Sequence, residues 1–353
     1  MTGGGTGGHV YPALEVAKYS RAQGDEVVYF GSLRGQEGRA SEAAGFAFRG
    51  FPSEPLYSLK SLRGLRSLAK LLRARGRAKS ELRAYKPDAI FSTGGYSAGP
   101  VVAAARSIGI PYSIHEGNSV PGRSNLMFAK DATAFTTLFR ATEKHAPGIR
   151  CIRVGNPIRR ELREAASRRA SEPDLVLGIG GSQGSEFLNG CLPRAFSGDT
   201  LKHGRLLLVS GPNNFTSTSN VVNALKIEGR ATVKSYLQTE EMLDAYCRAS
   251  VVVGRSGSTL AEIAMFGIPS VLVPLPSAAG NHQFHNAMEF VEMNAAILLP
   301  QANATPSNMA EAIESWLGDR AKSEAAAVAL RAWDMPNATE TIYGHLVSAG
   351  GKP

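Results

Sequence analysis

Short, continuously apolar segments alternate with helical segments along nearly the whole chain, and this alternation constrains the fold more than any other feature. Strands that are apolar throughout are typical of parallel sheets covered by helices on both faces. We therefore predict an α/β protein of two doubly wound, Rossmann-like domains. The strand-like segments are 26–31, 88–93, 111–115, 174–179, 205–210, 231–235, 250–254 and 269–274.

The length of 353 residues also favours two domains. We predict an N-terminal domain over 1–156 and a C-terminal domain over 157–333, with a final helix at about 334–353 that packs back on the first domain. A glycine loop starts at Gly3, although such a loop normally follows a buried strand. We expect this first, central strand to be missing, so that its neighbours lack a partner. The polar segment 213–220 is predicted to be a surface loop.

Composition excludes several classes of protein. The cysteines Cys151, Cys191 and Cys247 lie far apart without C-x-x-C spacing. We therefore expect neither a metal site nor a disulfide framework, and we expect the protein to occupy a reducing compartment. The start of the chain lacks the apolar core of a signal peptide. An apolar run of about 18 residues, as a membrane-spanning helix needs, is also absent.

The net charge of +9 is concentrated in one segment, since residues 56–86 contain ten Lys or Arg and one acid. One interpretation is a solvated basic helix whose apolar side packs on the core. The other is a surface that docks on anionic lipid head groups. Nucleic acid is not expected, because no recognition motif accompanies the charges. The cations are Lys60, Arg63, Arg66, Lys70, Arg73 and Arg77, and the apolar arc is Leu62, Leu65, Leu68, Ala69 and Leu72.

Glycine-rich or polar stretches follow several of the predicted strands. Glycine lets backbone amides approach an anion, and the start of a helix favours negative charge. One such loop could be purely structural, but their recurrence at corresponding positions favours an anionic ligand. Neither G-x-G-x-x-G nor the P-loop spacing occurs, which disfavours dinucleotide oxidoreductases and P-loop ATPases. The stretches are 3–9, which leads into a helix predicted near Pro12, and 93–100, 115–118 and 180–184.

Motifs spread over the whole chain carry a family resemblance: GGGTGGHVYPAL, TGGYSAGP, HEGN, VGNPIR, GGSQG, GRSGSTLAEIAMFGIPSVLVPLP and NHQFHNA. In this order they resemble the MurG family, the peptidoglycan N-acetylglucosaminyltransferases of the GT-B type. The resemblance implies two domains that face each other across a cleft. It also implies cofactor-free, inverting transfer of N-acetylglucosamine from UDP-N-acetylglucosamine to the 4-hydroxyl of undecaprenyl-linked muramyl-pentapeptide. The implied location is cytoplasmic, peripheral on the inner face of the plasma membrane.

Two other functions stay open at this point. One is a different lipid-directed GT-B transferase, such as an enzyme that glycosylates diacylglycerol. The other is a UDP-sugar-binding remnant without activity. The stretches TGGYSAGP and HEGN favour the peptidoglycan enzyme over the first of these.

The resemblance also implies a donor site in the second domain. Glu262 would accept hydrogen bonds from the ribose hydroxyls, since a carboxylate offers two acceptor oxygens to a diol. Ser182 and Arg159 would hold the donor pyrophosphate without a metal, although Arg160 and Arg163 leave the choice of cation open. The backbone of Leu237 would bind the uracil, with two extra residues within 238–241. The remaining implied contacts are Ser258, Thr259 and Leu260 beside the nucleotide, and Asn118, His282 and Gln283 on the sugar hydroxyls.

On the acceptor side, the resemblance implies that Thr6, Gly7 and Gly8 bind the acceptor pyrophosphate. His9 is our preferred general base, because a neutral imidazole can take the proton of the attacking hydroxyl. The alternative is that His9 only binds the pyrophosphate and Glu116 is the base.

Overall fold

The computed structural model describes residues 1–55, 61–201 and 203–351. Lys60 lies outside these residues, and for Arg63 the structure describes the backbone only. The chain divides into two compact units. The first comprises Met1–Ile158 and Met335–Pro353, and the second comprises Arg159–Asp334.

The first unit is built on parallel strands. β1 pairs with β2, and β3, β4, β5 and β6 pair in sequence order. Thr2 forms parallel bridges with both Phe30 and Ser92 and thereby joins the two groups of strands. The strands are β1 (Val28–Ser32), β2 (Ala47–Phe51), β3 (Ile90–Ser92), β4 (Tyr112–Glu116), β5 (Ala134–Thr137) and β6 (Cys151–Arg153).

Met1 and Thr2 occupy the central position between β1 and β3. The Thr2 amide donates to the Phe91 carbonyl over 2.9 Å, and the Phe30 amide donates to the Met1 carbonyl over 2.8 Å. The expectation that the neighbouring strands lack a partner is therefore wrong beside Met1 and Thr2, because these two residues form hydrogen bonds with both strands.

Helices cover both faces of this sheet. α1 packs against α15 on one face, where Val10, Ala17 and Ile342 share a core cluster. α3 packs against α4 on the other face. The helices are α1 (Gly7–Ala22), α2 (Glu37–Ala43), α3 (Leu62–Tyr85), α4 (Gly99–Ser107), α5 (Arg123–Ala129), α6 (Thr142–His145) and, near the end of the chain, α15 (Ala338–Ala349).

The buried face of α3 differs from the predicted apolar arc. Ala74, Ala78 and Leu82 are fully buried, whereas Leu72 is 58% exposed. Small alanine side chains let α3 approach α4 closely, so the close-packed face is marked by alanine rather than by leucine. The interpretation that Leu72 packs on the core is wrong.

The second unit contains a six-stranded parallel sheet of order β9-β8-β7-β10-β11-β12. The strand order reverses between β7 and β10, and ligands of open α/β sheets bind at the carboxyl ends of strands at such a point. The strands are β7 (Leu175–Ile179), β8 (Arg205–Val209), β9 (Ala231–Lys234), β10 (Val251–Gly254), β11 (Ser270–Leu272) and β12 (Ala296–Leu298).

Residues 213–220, predicted to be a loop, lie mostly in a helix, and that prediction is wrong. Thr218 and Val222 occupy neighbouring turns of α9 and are 2% and 3% exposed, so burial outweighs the weak helix propensity of Asn, Ser and Thr. The helices of this unit are α7 (Arg160–Ala166), α8 (Glu186–Ser197), α9 (Phe215–Ala224), α10 (Thr239–Arg248), α11 (Thr259–Phe266), α12 (His282–Glu292), α13 (Pro306–Leu317) and α14 (Arg320–Trp333). Short 3₁₀ turns occupy Pro212–Asn214 and Ala279–Asn281.

Candidate active site

The first glycine loop of the N-terminal unit is packed against the second. The Gly4 amide donates to the Gly94 carbonyl over 3.2 Å. A side chain on Gly95 would collide with the Gly4 carbonyl. Gly5 has a φ of +92°, which favours glycine, and the ring of Tyr96 lies against it. This close packing requires glycine in both loops.

The end of this loop is the exposed start of a helix. α1 begins at Gly7 instead of near Pro12, which corrects the prediction. Pro12 lies inside the helix, where its fixed φ is compatible with helical geometry and its missing amide removes one hydrogen bond. Thr6 is extended, and its side chain makes no capping hydrogen bond. The first-turn amides, including those of Gly7 and Gly8, point out of the helix end and suit an anion.

His9 lies in this first turn, and its hydrogen bond shows which ring nitrogen carries a proton. Its Nδ1 is 2.8 Å from the Thr93 carbonyl oxygen, and the Thr93 hydroxyl donates to the His9 carbonyl over 2.7 Å. A carbonyl oxygen can only accept, so Nδ1 carries the proton. In the neutral ring, Nε2 then keeps its lone pair and can act as a base.

Glu116, at the end of β4, is 1% exposed and holds the loop that follows it. Its Oε1 accepts from the amide and the side chain of Asn118, over 2.9 and 3.2 Å. Its Oε2 accepts from the Gly122 amide and the Asn125 side chain, over 2.9 and 2.8 Å. Four donors fill both oxygens, and this arrangement favours a structural carboxylate over a general base.

The residue before it, His115, is a buried and neutral histidine. Its Nδ1 lies 3.2 Å from the Thr136 hydroxyl. Burial lowers the pKa of His115 to about 4, and the nearby Asn156 side chain only partly offsets this. His115 is therefore uncharged at neutral pH.

A carboxylate that the sequence did not reveal lies beneath the first glycine loop. Glu37, the first residue of α2, is 0% exposed. It accepts from the Ser32 amide over 2.9 Å and from the Gly5 amide over 3.4 Å. Beside it, the Tyr29 hydroxyl donates to the Gly3 carbonyl over 2.7 Å. The only available signal was an acid in the first turn of a helix, which does not reveal burial.

In the second unit, a glycine loop connects β7 with α8 at the point where the strand order reverses. Gly184 has a φ of +78°, and a side chain there would collide with the Ser210 carbonyl. Ser182 is exposed in this loop. Ser185 caps α8 by accepting from the Leu188 amide over 3.4 Å.

Arg255, which follows β10, binds several elements of this unit together. It donates to the Val273 carbonyl over 2.9 Å, to the Ser185 hydroxyl over 2.9 Å and to the Gln301 side chain over 2.7 Å. Burial lowers the pKa of its guanidinium. Sequence reasoning missed this residue, because a lone arginine after a strand does not reveal which distant groups will accept its hydrogen bonds.

The segment 258–262 opens α11, where Ser258 is exposed and makes no capping hydrogen bond. Thr259 is the first residue of the helix. Leu260 is 0% exposed, and its amide donates to the Gly257 carbonyl over 3.2 Å. Leu260 is thus part of the core, which leaves Ser258 and Thr259 as the polar groups of this turn.

Glu262 and Arg159 are brought together in the second unit. The Tyr246 hydroxyl donates to Glu262 Oε2 over 2.6 Å. Arg159, just before α7, donates to the Thr239 hydroxyl over 3.3 Å and stabilises the Glu262 anion. Burial raises the pKa of the Glu262 carboxyl, against the effects of Tyr246 and Arg159. A partly buried carboxylate beside one cation results.

Leu237 lies two residues before α10 and is 3% exposed, so only its backbone could bind a ligand. The following residues, 238–241, form the first turn of α10. The Gln238 amide donates to the Glu241 side chain over 2.9 Å in a capping box. The two extra residues expected here therefore lie in a regular helix start.

Gln283 and His282 open α12 with fixed orientations. The Leu275 amide donates to Gln283 Oε1 over 2.9 Å, so Gln283 Nε2 faces elsewhere, toward Gly257. His282 Nδ1 lies 2.8 Å from the Ala279 carbonyl and therefore carries a proton. Gln283 thus offers donors on the side of the Ser258 turn.

The basic helix α3 presents most of its described cations to solvent. Arg66, Arg73 and Arg77 are exposed. Lys70 forms a salt bridge with Glu54 over 3.0 Å, so its positive charge is partly compensated. No helix among the described residues is long and apolar enough to span a membrane. Within the same part of the chain, no cluster of three or more His, Cys, Asp or Glu side chains could hold a metal ion.

Comparison with known proteins identifies the family. The sequence profile of the glycosyltransferase family 28 N-terminal domain matches residues 1–137, and that of its C-terminal domain matches residues 175–341. A UDP-N-acetylglucosamine--N-acetylmuramyl-(pentapeptide) pyrophosphoryl-undecaprenol N-acetylglucosamine transferase from Lactococcus lactis is 34% identical, over 97% of either chain. One from Shewanella piezotolerans is 37% identical, over 90% of this chain and 87% of its own. The chain belongs to this family of N-acetylglucosamine transferases.

Solved structures agree with the family assignment. The crystal structure of Acinetobacter baumannii MurG has a TM-score of 0.80 at 29% identity and covers 99% of this chain and 98% of its own. The calicheamicin glycosyltransferase CalG4, at 15% identity, has a TM-score of 0.66 over 97% and 96% of the two chains and supports the fold alone. The predictions of a MurG-type glycosyltransferase and of two Rossmann-like GT-B domains are confirmed.

Proposed function

We propose that the chain transfers N-acetylglucosamine from UDP-N-acetylglucosamine to the 4-hydroxyl of an undecaprenyl-linked muramyl-pentapeptide, with inversion at the anomeric carbon. The shared name of its relatives supports this substrate pair. The observation that carries the proposal is His9, because its Nδ1 is fixed on the Thr93 carbonyl and its Nε2 is left as a base at the uncapped start of α1.

The donor binds the second unit in this proposal. Glu262 accepts from the ribose hydroxyls, and the Leu237 backbone binds the uracil. Ser182, Ser258 and Thr259 donate to the pyrophosphate, whose charge Arg159 and the start of α8 offset. His282 and Gln283 hydrogen-bond the sugar hydroxyls. Leu260 contributes only by fixing this turn, since it is wholly buried.

The acceptor binds the first unit. Its pyrophosphate lies on the open amides of Thr6, Gly7 and Gly8, where the helix dipole favours negative charge. Asn118 binds a sugar hydroxyl, and Glu116 positions Asn118 through the two hydrogen bonds it accepts from it.

In the chemical step, His9 Nε2 takes the proton of the 4-hydroxyl while that oxygen attacks the anomeric carbon. The bond between the anomeric carbon and the UDP oxygen breaks on the opposite face, and its electron pair leaves with UDP. The configuration of the sugar is therefore inverted. Arg159 and the helix-start amides stabilise the charge that develops on the leaving diphosphate.

The test is turnover of UDP-N-acetylglucosamine with the lipid-linked muramyl-pentapeptide, and with diacylglycerol for comparison. We expect transfer to the former only, and a loss of roughly 10²–10⁴-fold in His9→Ala. UDP affinity should be unchanged in that variant, since His9 belongs to the other unit. Transfer to diacylglycerol would favour the second transferase class, and UDP binding without any transfer would favour an inactive remnant.

We also propose a peripheral location on the anionic, cytoplasmic face of the plasma membrane. The exposed Arg66, Arg73 and Arg77 support it, as does Leu72, which is 58% exposed on the same helix. Cations flanking an exposed apolar side chain are typical of helices that lie on lipid head groups. Nucleic acid is not a proposed partner.

A further inference from the structure

The hydroxyl of Tyr246 has no role in the mechanism above, although it touches a residue that does. Tyr246 is 1% exposed in α10, and its ring stacks on Phe266 with centroids 5.1 Å apart. Its hydroxyl donates to Glu262 Oε2 over 2.6 Å. This is a short hydrogen bond, of the length seen when the acceptor is charged.

The surroundings of Glu262 make that donor important. Burial favours the protonated, neutral carboxyl and raises its pKa. Two groups oppose this effect, the Tyr246 hydroxyl from α10 and the Arg159 guanidinium from the start of α7. A neutral carboxyl keeps a proton on one oxygen and is a weaker acceptor for a diol than a carboxylate.

We propose that Tyr246 is a positioning residue of the nucleoside site, whose hydroxyl holds Glu262 and fixes which of its oxygens faces the ribose. The same hydrogen bond favours the charged form of the carboxylate. Oε2 is partly occupied by Tyr246, so Oε1 and the remaining lone pair of Oε2 serve the two ribose hydroxyls. This inference rests on the proposed role of Glu262 as the ribose ligand.

The opposing view is that Tyr246 only fills the core. A buried tyrosine needs an acceptor for its hydroxyl, and Glu262 would merely supply it. Tyr246→Phe separates the two views, because it keeps the ring on Phe266 and removes one oxygen atom.

The experiment is calorimetric titration with UDP between about pH 5.5 and pH 8.5. The proteins are the parent, Tyr246→Phe, Glu262→Gln and the double variant. We expect Tyr246→Phe to bind UDP roughly tenfold more weakly near neutral pH, as for loss of one hydrogen bond to a charged group. The loss should grow as pH falls, because without the hydroxyl Glu262 protonates at higher pH. Glu262→Gln should bind weakly at every pH, and Tyr246→Phe should change that background little.

A matched control is Tyr85→Phe in the first unit, where the hydroxyl donates to the Glu26 carbonyl over 3.4 Å. It should leave UDP binding unchanged. Equal UDP affinity of Tyr246→Phe and the parent across the pH range would overturn the proposal. So would an equal loss in the Glu262→Gln background, since Tyr246 would then act without the carboxylate. If Glu262→Gln binds UDP as tightly as the parent, the assignment of Glu262 as the ribose ligand is wrong, which is a separate outcome from failure of the Tyr246 proposal.

Discussion

Replacing Glu116 with glutamine decides between a general base and a structural carboxylate. Each oxygen of Glu116 accepts two hydrogen bonds, all between 2.8 and 3.2 Å. Glutamine presents one oxygen and one NH₂ group. Whichever way the glutamine amide turns, its NH₂ group faces two of the four N–H donors that Glu116 accepts from. The change therefore removes two hydrogen bonds and adds a repulsive contact in a buried site.

The magnitude follows from these bonds. Hydrogen bonds to charged groups contribute about 1.5–3 kcal/mol each, so two of them amount to about 3–6 kcal/mol of unfolding free energy. For a unit of this size, Tm falls by about 2–4 °C per kcal/mol, which gives a shift of roughly 10 °C. Amide exchange should accelerate over residues 117–125, and turnover should fall because Asn118 loses its support.

The assay combines thermal unfolding, hydrogen exchange and UDP calorimetry. UDP binding by Glu116→Gln should match the parent, since the residues proposed to contact UDP itself lie in the other unit. Glu42→Gln, an exposed change in the same unit, serves as the control. Lost turnover with an unchanged Tm and unchanged exchange would refute the structural role and make Glu116 the base.

Two further predictions concern the donor sugar and the membrane. Gln283→Ala should spare UDP affinity and weaken UDP-N-acetylglucosamine binding by roughly two- to tenfold, which corresponds to the loss of one neutral hydrogen bond. Calorimetry with both ligands checks this, and equal weakening of both would remove Gln283 from the sugar site. Reversal of Arg66, Arg73 and Arg77 to Glu should abolish sedimentation with anionic vesicles, as high salt should for the parent, without loss of turnover on a soluble acceptor analogue. Equal binding of the parent to neutral vesicles contradicts the electrostatic part.

Most strands whose burial is continuous were predictable from the sequence, although β5 (Ala134–Thr137) was missed. The segment 174–179 is a strand over Leu175–Ile179, and 111–115 is one over Tyr112–Glu116. The glycine loops were also placed correctly at strand ends, because glycine marks turns that other residues cannot make. Strands such as β2 and β6 were missed, since β2 contains Arg49 and Gly50 and β6 has only three residues, so neither has a continuous apolar run or a clear alternation.

Features that depend on distant partners were not predictable. α9 forms from a polar segment because Thr218 and Val222 meet a packed surface, which local propensity does not encode. Tyr246 and Glu262 are sixteen residues apart, and Glu37 and Gly5 thirty-two. Only the folded chain brings these groups together, so the sequence pointed to Glu262 and Arg159 as candidates but not to the contact of Glu262 with Tyr246.

Glu116, Glu37 and Glu262 are buried or partly buried carboxylates, and the donors around each of them differ. Glu116 has both oxygens filled by its own loop, and Glu37 accepts from two backbone amides beneath the first glycine loop. In Glu262, Oε2 accepts from the Tyr246 hydroxyl. A carboxylate whose lone pairs are used by the protein organises a loop, whereas one with a remaining oxygen beside a cation can bind a diol. By this criterion we propose Glu262, among these three, as the carboxylate that binds ligand, whereas Glu116 and Glu37 organise the loops whose amides they accept from.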